Sequence, residues 1–406
     1  MKINKIHFEN HPFFGTVDID FTSPDGNKTL DTVVIAGING SGKTTLLNAI
    51  IDMMTRSDKR FDGSFLDIEL TELYEKGLLK REYPPLVGRS RYFENQFNAA
   101  LKGKKRNFLN QFKGIHDRER PKIVYMPTEI NFNKINIETT PYAYKYKFLN
   151  IIDENFAKDT PNFFATFIDK YVYSKNLLPD QSIELACKEI NAIFKELDIE
   201  SWIVGLKKDG SRMPVFKNNA GKEFDITGLS SGEKQLFFRI IGLKMMDINN
   251  SIILIDEPEI SLHPSWQQGV IKVYENIGRN NQVIAATHSP HVLSSVKNEN
   301  IRILADPADI QVLDYKDLKN SYGAPIRRVL KDLMGLKSDR DPGVQLKIDN
   351  LKSYLRHEGY SPGEFEVRFK ELEGILGTTD EDLIRLRMGK LRKEKREEAV
   401  SMTAMN

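Results

Sequence analysis

An α/β fold, with helices covering a largely parallel sheet, is the class this sequence predicts, and three features predict it. An apolar strand at residues 32–36 runs through a glycine-rich turn into an apolar helix. A second apolar strand, residues 252–255, ends in two carboxylates, and strand and helix then alternate as far as residue 286. With 406 residues, 40% hydrophobic and 29% charged, the chain has room for such a core and a further lobe.

Taken in order, Ile3, Ile6 and Phe8, then Val17, Ile19 and Phe21, alternate with polar neighbours as strands that bury one face. Ser23-Pro24-Asp25-Gly26-Asn27 is a turn signal, so the chain opens on an antiparallel β part. The helix after the glycine-rich turn carries Leu46, Leu47, Ile50 and Ile51. From residue 58 to 120 the periodicity weakens and basic clusters appear at 102–106 and 118–122, which reads as irregular, partly exposed chain. Residues 123–126 are a buried strand closed by Pro127, completing a first core segment over 1–130. Residues 131–223 read as an inserted, mainly helical lobe with helices at 162–173 and 182–197. The lobe is too short for a long antiparallel coiled coil, since a helix rises only ~1.5 Å per residue and must return. The core resumes over 224–310 with a helix after Gly232, the strand at 252–255, a helix at 266–277 and a strand at 282–286. Residues 311–406 read as a charged helical tail. Phe365, Phe369, Leu372, Ile375 and Leu376, then Leu383, Leu386 and Leu391, mark two amphipathic helices broken near Gly377-Thr378-Thr379.

Composition excludes several classes. Fifty-nine basic against fifty-seven acidic residues leave a formal charge of +2, so the overall field does not argue for nucleic acid. Any DNA or RNA contact must be local, at Lys102, Lys104, Lys105 and Arg106 or along 390–396, and such runs are more often solvated faces. The single cysteine, Cys187, rules out an internal disulfide or a cysteine-based zinc cluster, fits a reducing cytoplasm, and reads as a small apolar residue on a helix. Residues 1–8 lack a signal-peptide pattern, and no apolar run approaches the ~18 to 20 residues that span a bilayer. The expectation is a cytoplasmic protein with no membrane domain of its own.

Gly37-Ile38-Asn39-Gly40-Ser41-Gly42-Lys43-Thr44 satisfies the phosphate-binding loop pattern between a strand and a helix. Its glycines let backbone N–H groups curl around phosphate oxygens, Lys43 reaches the β- and γ-phosphates, and Thr44 offers a hydroxyl to Mg²⁺. Gly37, Asn39, Gly40, Ser41, Gly42, Lys43, Thr44 and Thr45 are the expected nucleotide contacts. The strand leading to Asp256-Glu257-Pro258 sets two acids at the carboxyl edge of the sheet. Asp256 would hold the magnesium shell with Thr44, and Glu257 would orient or deprotonate the attacking water. By itself such an acidic pair could equally cap a helix; the phosphate loop decides for chemistry.

Leu229-Ser230-Ser231-Gly232-Glu233-Lys234-Gln235 resembles the signature motif of ABC-type ATPases, with serine in place of the first of its two glycines. Ala286-Thr287-His288-Ser289-Pro290 resembles that family's switch histidine, and Glu259-Ile260-Ser261-Leu262-His263-Pro264 the dimer-interface loop of its SMC- and RecF-like members; the likeness is to the soluble SMC/RecF/OLD-like group rather than to transporters. The resemblance covers most of 1–60 and 120–305. It implies an ABC-type P-loop ATPase core using ATP and Mg²⁺, with Glu257, His288 and Lys43 catalytic. It also implies a head-to-tail homodimer or higher oligomer, in which Ser230, Ser231, Gly232 and Glu233 of one subunit complete the site of another. Without the resemblance, Ser230 would read as a simple helix cap. Reading His263, His288 and His291 as metal ligands finds no carboxylate or cysteine set to complete a site. The family's usual glutamine is missing; Tyr125-Met126-Pro127-Thr128-Glu129 stands in its place, where Thr128 or Glu129 substitutes or the segment is only a strand end.

The tail, with Gly374-Ile375-Leu376-Gly377 and Asp382-Leu383-Ile384-Arg385-Leu386, is similar to Septu-type ATPases of the PtuA family, also found with retrons. That resemblance implies an antiphage system in which the ATPase controls a separate HNH nuclease. The chain shows no nuclease motif of its own, and Asp306 and Asp309 read as solvated acids. The alternative is a RecF- or SMC-like ATPase of DNA repair that clamps duplex directly.

Overall fold

The computed structural model describes residues 1–55, 59–70, 119–128, 146–153, 159–209, 211–304, 321–356 and 359–404, with 73, 76, 112, 114–117, 312 and 313. The basic cluster 102–106, Glu129, Asp306 and Asp309 lie outside them. The chain forms two compact units, Met1–Met334 and Gly335–Asn406.

In the first unit, β1 (Lys2–His11) pairs antiparallel with β2 (Gly15–Asp20), as the alternating pattern predicts. Next come β3 (Thr32–Gly37) and α1 (Lys43–Thr55). The segment expected to be irregular contains β4 (Phe65–Glu69), which joins the other edge of β1; Leu66 and Ile68 are its buried alternate residues. β5 (Ile123–Met126) and β6 (Leu149–Ile151) follow.

The insertion holds helices α2 (Thr160–Lys175) and α3 (Pro179–Glu196), with Cys187 buried on the latter. It also holds a three-stranded antiparallel sheet of β7 (Ser201–Leu206), β8 (Pro214–Asn218) and β9 (Glu223–Asp225), which the helical reading omits. α4 (Ser231–Met245) leads to β10 (Ile252–Asp256). The single helix expected at 266–277 is two, α5 (Pro264–Gln267) and α6 (Val270–Glu275), parted at Gly269, where a Cβ would lie 2.6 Å from the Leu197 side chain. β11 (Gln282–Thr287), α7 (Pro290–Ser295), β12 (Ile301–Leu304), β13 (Val312–Leu313) and α8 (Ile326–Asp332) complete the unit, so the chain past 311 begins as a sheet edge rather than as helix.

The main sheet has the order β13-β12-β3-β11-β10-β5-β6, parallel except for β13. Every residue of β3, β10 and β11 is buried, as expected of central parallel strands covered on both faces. Alternation divides them between two cores. Val33, Ile35 and Leu254 pack with α1 and the N-terminal strands, while Val34, Ala36, Ile253 and Ile255 pack with α2, α3 and α4. Parallel register then brings Gly37, Met126, Asp256 and Thr287 out at one edge of the sheet.

The second unit holds α9 (Pro342–Arg356), α10 (Pro362–Leu376) and α11 (Glu381–Ala404) around Ile348, Leu351, Phe365, Phe369, Leu372, Leu383 and Leu386. The expected break falls at Gly377, whose φ of 79° ends α10. Among the described residues no helix is long and apolar enough to cross a membrane, and no three His, Cys, Asp or Glu side chains cluster as for a metal ion.

Candidate nucleotide site

β3 delivers the chain into the 37–44 loop, and glycine is required there for two separate reasons. A Cβ on Gly37 would lie 2.5 Å from the Leu304 carbonyl oxygen and equally close to Ser41 Oγ. Gly42 adopts φ +93°, and a Cβ there would lie 2.2 Å from the ring of Phe13, held at the β1–β2 turn by its N–H donating to His11 Nδ1 at 3.2 Å. Lys43 opens α1, is 5% exposed, and donates to the carbonyls of Gly37 and Ile38 at 3.0 Å each. Burial lowers its pKa to about 8, with Glu257, Asp256 and Glu259 pulling the other way. Ser41 Oγ is buried without a partner among the described residues.

The acidic strand end meets this loop directly. Thr44 donates its hydroxyl to Asp256 Oδ2 at 2.9 Å, and Asp256 is 3% exposed. Glu257 turns out of β10 with φ +47°, its N–H donating to the Ala286 carbonyl at 2.9 Å. Burial raises the Glu257 pKa, and neighbouring Glu259 and Asp256 add to the effect. His288 Nε2 stands 3.7 Å from Glu257 Oε1; burial, then the Lys43 charge, lowers the imidazole's pKa and favours its neutral form. The structure thus brings Lys43, Thr44, Asp256, Glu257 and His288 together.

The signature residues stand apart from them. Ser230 caps α4, its hydroxyl accepting from the Glu233 N–H at 3.3 Å while the Glu233 carboxylate accepts from the Ser230 N–H at 2.8 Å. Glu233 is therefore engaged in a capping box, leaving the exposed Ser230 and Ser231 hydroxyls at the helix start. Gly232 is buried against the 259–264 loop, where a Cβ would lie 2.4 Å from the Ser261 carbonyl oxygen. Among the described residues no hydrogen bond joins 230–233 to 37–45. His263 caps α5, with Nδ1 2.8 Å from Ser265 Oγ.

A family described as an AAA domain, putative AbiEii toxin, type IV TA system, matches residues 131–294. A Septu protein PtuA of Bacillus thuringiensis is 24% identical over 352 residues, covering 80% of this chain and 84% of that one. A retron Ec83 probable ATPase of Escherichia coli is 31% identical over 187 residues, 43% of this chain and 33% of that one. These likenesses are to ATPases of Septu and retron systems, over most of the chain in the first case and under half of it in the second. Among solved structures, an SMC head bound to the C-winged helix domain of ScpA has TM-score 0.43 and 15% identity over 77% of this chain and 97% of that one.

The loop fits a polyphosphate: its positive-φ glycines, buried Lys43 and the Ser41 hydroxyl, unpartnered among the described residues, are groups an anion would satisfy. The Thr44–Asp256 pair fits a magnesium ion in donor chemistry, both being hard oxygen ligands. Two residues that sequence reasoning left out of the site belong beside it. Glu259 Oε1 accepts from Thr287 Oγ1 at 2.6 Å, the His288 N–H at 2.8 Å and the Ser289 N–H at 3.0 Å, holding the histidine's loop. Arg239 reaches the Glu257 carbonyl from α4. A lone cation inside Leu236-Phe237-Phe238-Arg239-Ile240-Ile241 was the signal available for it. Of the segment replacing the usual glutamine, Thr128 offers its carbonyl to Arg239.

Proposed function

We propose that this chain binds ATP with Mg²⁺ and hydrolyses it at sites shared between two copies, and that it works in a bacterial antiphage system by controlling a separate nuclease. The observation that carries the chemical half is the hydrogen-bonded Thr44–Asp256 pair with Glu257 next in sequence and His288 3.7 Å from its carboxylate.

In this reading Lys43 leaves the Gly37 and Ile38 carbonyls for the β- and γ-phosphate oxygens, and the loop N–H groups close around them. Thr44 and Asp256 would hold Mg²⁺, which when bound neutralises phosphate charge. Glu257, whose raised pKa makes it the readier proton acceptor, takes the proton of the attacking water as its oxygen adds to the γ-phosphorus and the ADP oxygen leaves. Neutral His288, beside Glu257, can donate to the γ-phosphate and lose that contact when phosphate departs. The exposed start of α4 presents Ser230, Ser231 and Gly232 to the phosphates held by the opposite copy. Its isolation from the 37–45 loop in one chain supports that division.

The defence role is supported by the likeness to a Septu protein and a retron ATPase. Duplex clamping is the rival; steep salt dependence of duplex binding by this chain would favour it, and tight binding to a nuclease encoded beside it would favour defence. The chemistry is tested by Glu257→Gln: turnover should fall by roughly 10² to 10⁴, with nucleotide affinity retained and an ATP-bound closed state accumulating. Turnover near that of the wild type would remove Glu257 from its role.

A further inference from the structure

Helix α4 carries one cation within an apolar run: Arg239 is 1% exposed, with Phe237, Phe238, Ile240 and Ile241 fully buried around it. A buried guanidinium is costly unless fixed acceptors take its N–H groups. Arg239 makes no ion pair among the described residues. Its acceptors are main-chain carbonyls, Pro127 at 2.9 Å and Thr128 at 3.2 Å from Nη2 and Glu257 at 3.4 Å from Nη1, while Nε has no partner among the described residues. These carbonyls lie just past the ends of β5 and β10, adjacent parallel strands. A methionine would fill this place with less desolvation, so packing alone does not account for an arginine.

We propose that Arg239 is a positioning residue that ties the signature helix to the turn carrying Glu257. Glu257 is held between two anchors, its N–H on the Ala286 carbonyl and its C=O on Arg239, with its backbone in the left-handed region at φ +47°. That conformation costs a non-glycine residue free energy and persists where the surroundings enforce it. Arg239 lies about 12 Å along α4 from its exposed start. A shift of that helix when a second copy docks therefore reaches the Glu257 carbonyl and the Pro127–Thr128 segment through one side chain. This rests on the proposed role of Glu257, and it assigns the coupling to a residue that touches neither phosphate nor water.

The test uses the full chain at a temperature where circular dichroism shows every variant folded. Arg239→Met should lower kcat by about 10² with nucleotide Kd within about threefold, because a displacement near 1 Å at the reacting groups costs that much. Arg239→Lys, which keeps the charge and some donors, should recover about tenfold of the loss. In a Glu257→Gln background, Arg239→Met should cost less than about threefold more, since a residue acting through Glu257 has nothing left to position. Additive losses, or wild-type kcat in Arg239→Met, overturn the proposal. Should Arg239→Met not fold, Arg239→Lys alone decides: a lowered kcat at unchanged Kd that vanishes in the Glu257→Gln background supports it, and wild-type kcat overturns it. Wild-type turnover in Glu257→Gln itself would instead sink the reading of Glu257, whatever the arginine variants do.

Discussion

Replacing Glu259 should loosen the histidine's loop, and the structure sets the size of the effect. One carboxylate oxygen accepts from Thr287 Oγ1 at 2.6 Å, the His288 N–H at 2.8 Å and the Ser289 N–H at 3.0 Å. Hydrogen bonds to a charged acceptor contribute about 1.5–3 kcal/mol each, and neutral ones about 1. Glu259→Gln keeps an acceptor oxygen but removes its charge, so each of the three bonds should weaken by about 0.5–2 kcal/mol while no N–H is left stranded. Glu259→Ala strands two backbone N–H groups at about 1–3 kcal/mol each, for a loss of about 2–6 kcal/mol. Catalysis should suffer in the same order, because the same contacts place His288 beside Glu257. A displacement of about 1 Å costs on the order of 10² in rate, so Glu259→Ala should turn over ATP about a hundredfold more slowly, with Glu259→Gln between it and the wild type. Urea unfolding and steady-state phosphate release on the same preparations measure both. Glu259→Ala with turnover within threefold of the wild type, or stability within about 0.5 kcal/mol, would refute the reasoning.

Two further outcomes follow from individual contacts. Gly42→Ala sets a Cβ 2.2 Å from the Phe13 ring in a backbone at φ +93°. ATP affinity should fall at least about tenfold and recover only in part in Gly42→Ala/Phe13→Ala, since backbone strain on the order of 1–3 kcal/mol remains; full recovery in calorimetry would contradict the strain. Lys122, buried with its ammonium on the carbonyls of Asp117, Arg120 and Asp247, has its pKa lowered to about 8, chiefly by burial, against about 10.5 unfolded. Between those values the native state binds fewer protons than the unfolded one. Its contribution to stability therefore rises with pH by up to about 1.4 kcal/mol per unit and is flat outside that window. Lys43, lowered by burial to about 8 as well, contributes a like slope to both proteins, so unfolding curves from pH 8 to 10 should rise more steeply in the wild type than in Lys122→Met; parallel curves would contradict it.

The chemistry-bearing edge of the fold was legible because it is local. The glycine loop, the strand ending in Asp256 and Glu257, and His288 each announce themselves within a few residues, and parallel register then brings them together. Elements whose burial depends on distant partners were not. β4 reads as weak alternation until β1 supplies its edge, and β7 to β9 are short strands that pair with one another, with Ile203 of β7 held by Asn191 of α3. At the break, a Cβ on Gly269 would meet the Leu197 side chain, seventy-two positions earlier, a contact no local pattern reveals. Glu259 belongs to the 259–264 motif, but its function as acceptor for the 287–289 loop exists only in three dimensions.

The central claim, that ATP is hydrolysed where Lys43 of one copy meets the signature of another, is tested most directly by mixing two inactive variants. Lys43→Ala removes the phosphate contact and Ser231→Arg blocks the exposed start of α4, so neither should hydrolyse ATP alone. A heterodimer of the two holds one site with both defects and one in which an intact loop faces an intact signature. ATP turnover should therefore return as the variants are mixed, reaching its maximum near equal proportions, with ATP-dependent association of the same samples in light scattering. No turnover at any ratio, together with no ATP-driven association, would contradict the shared site.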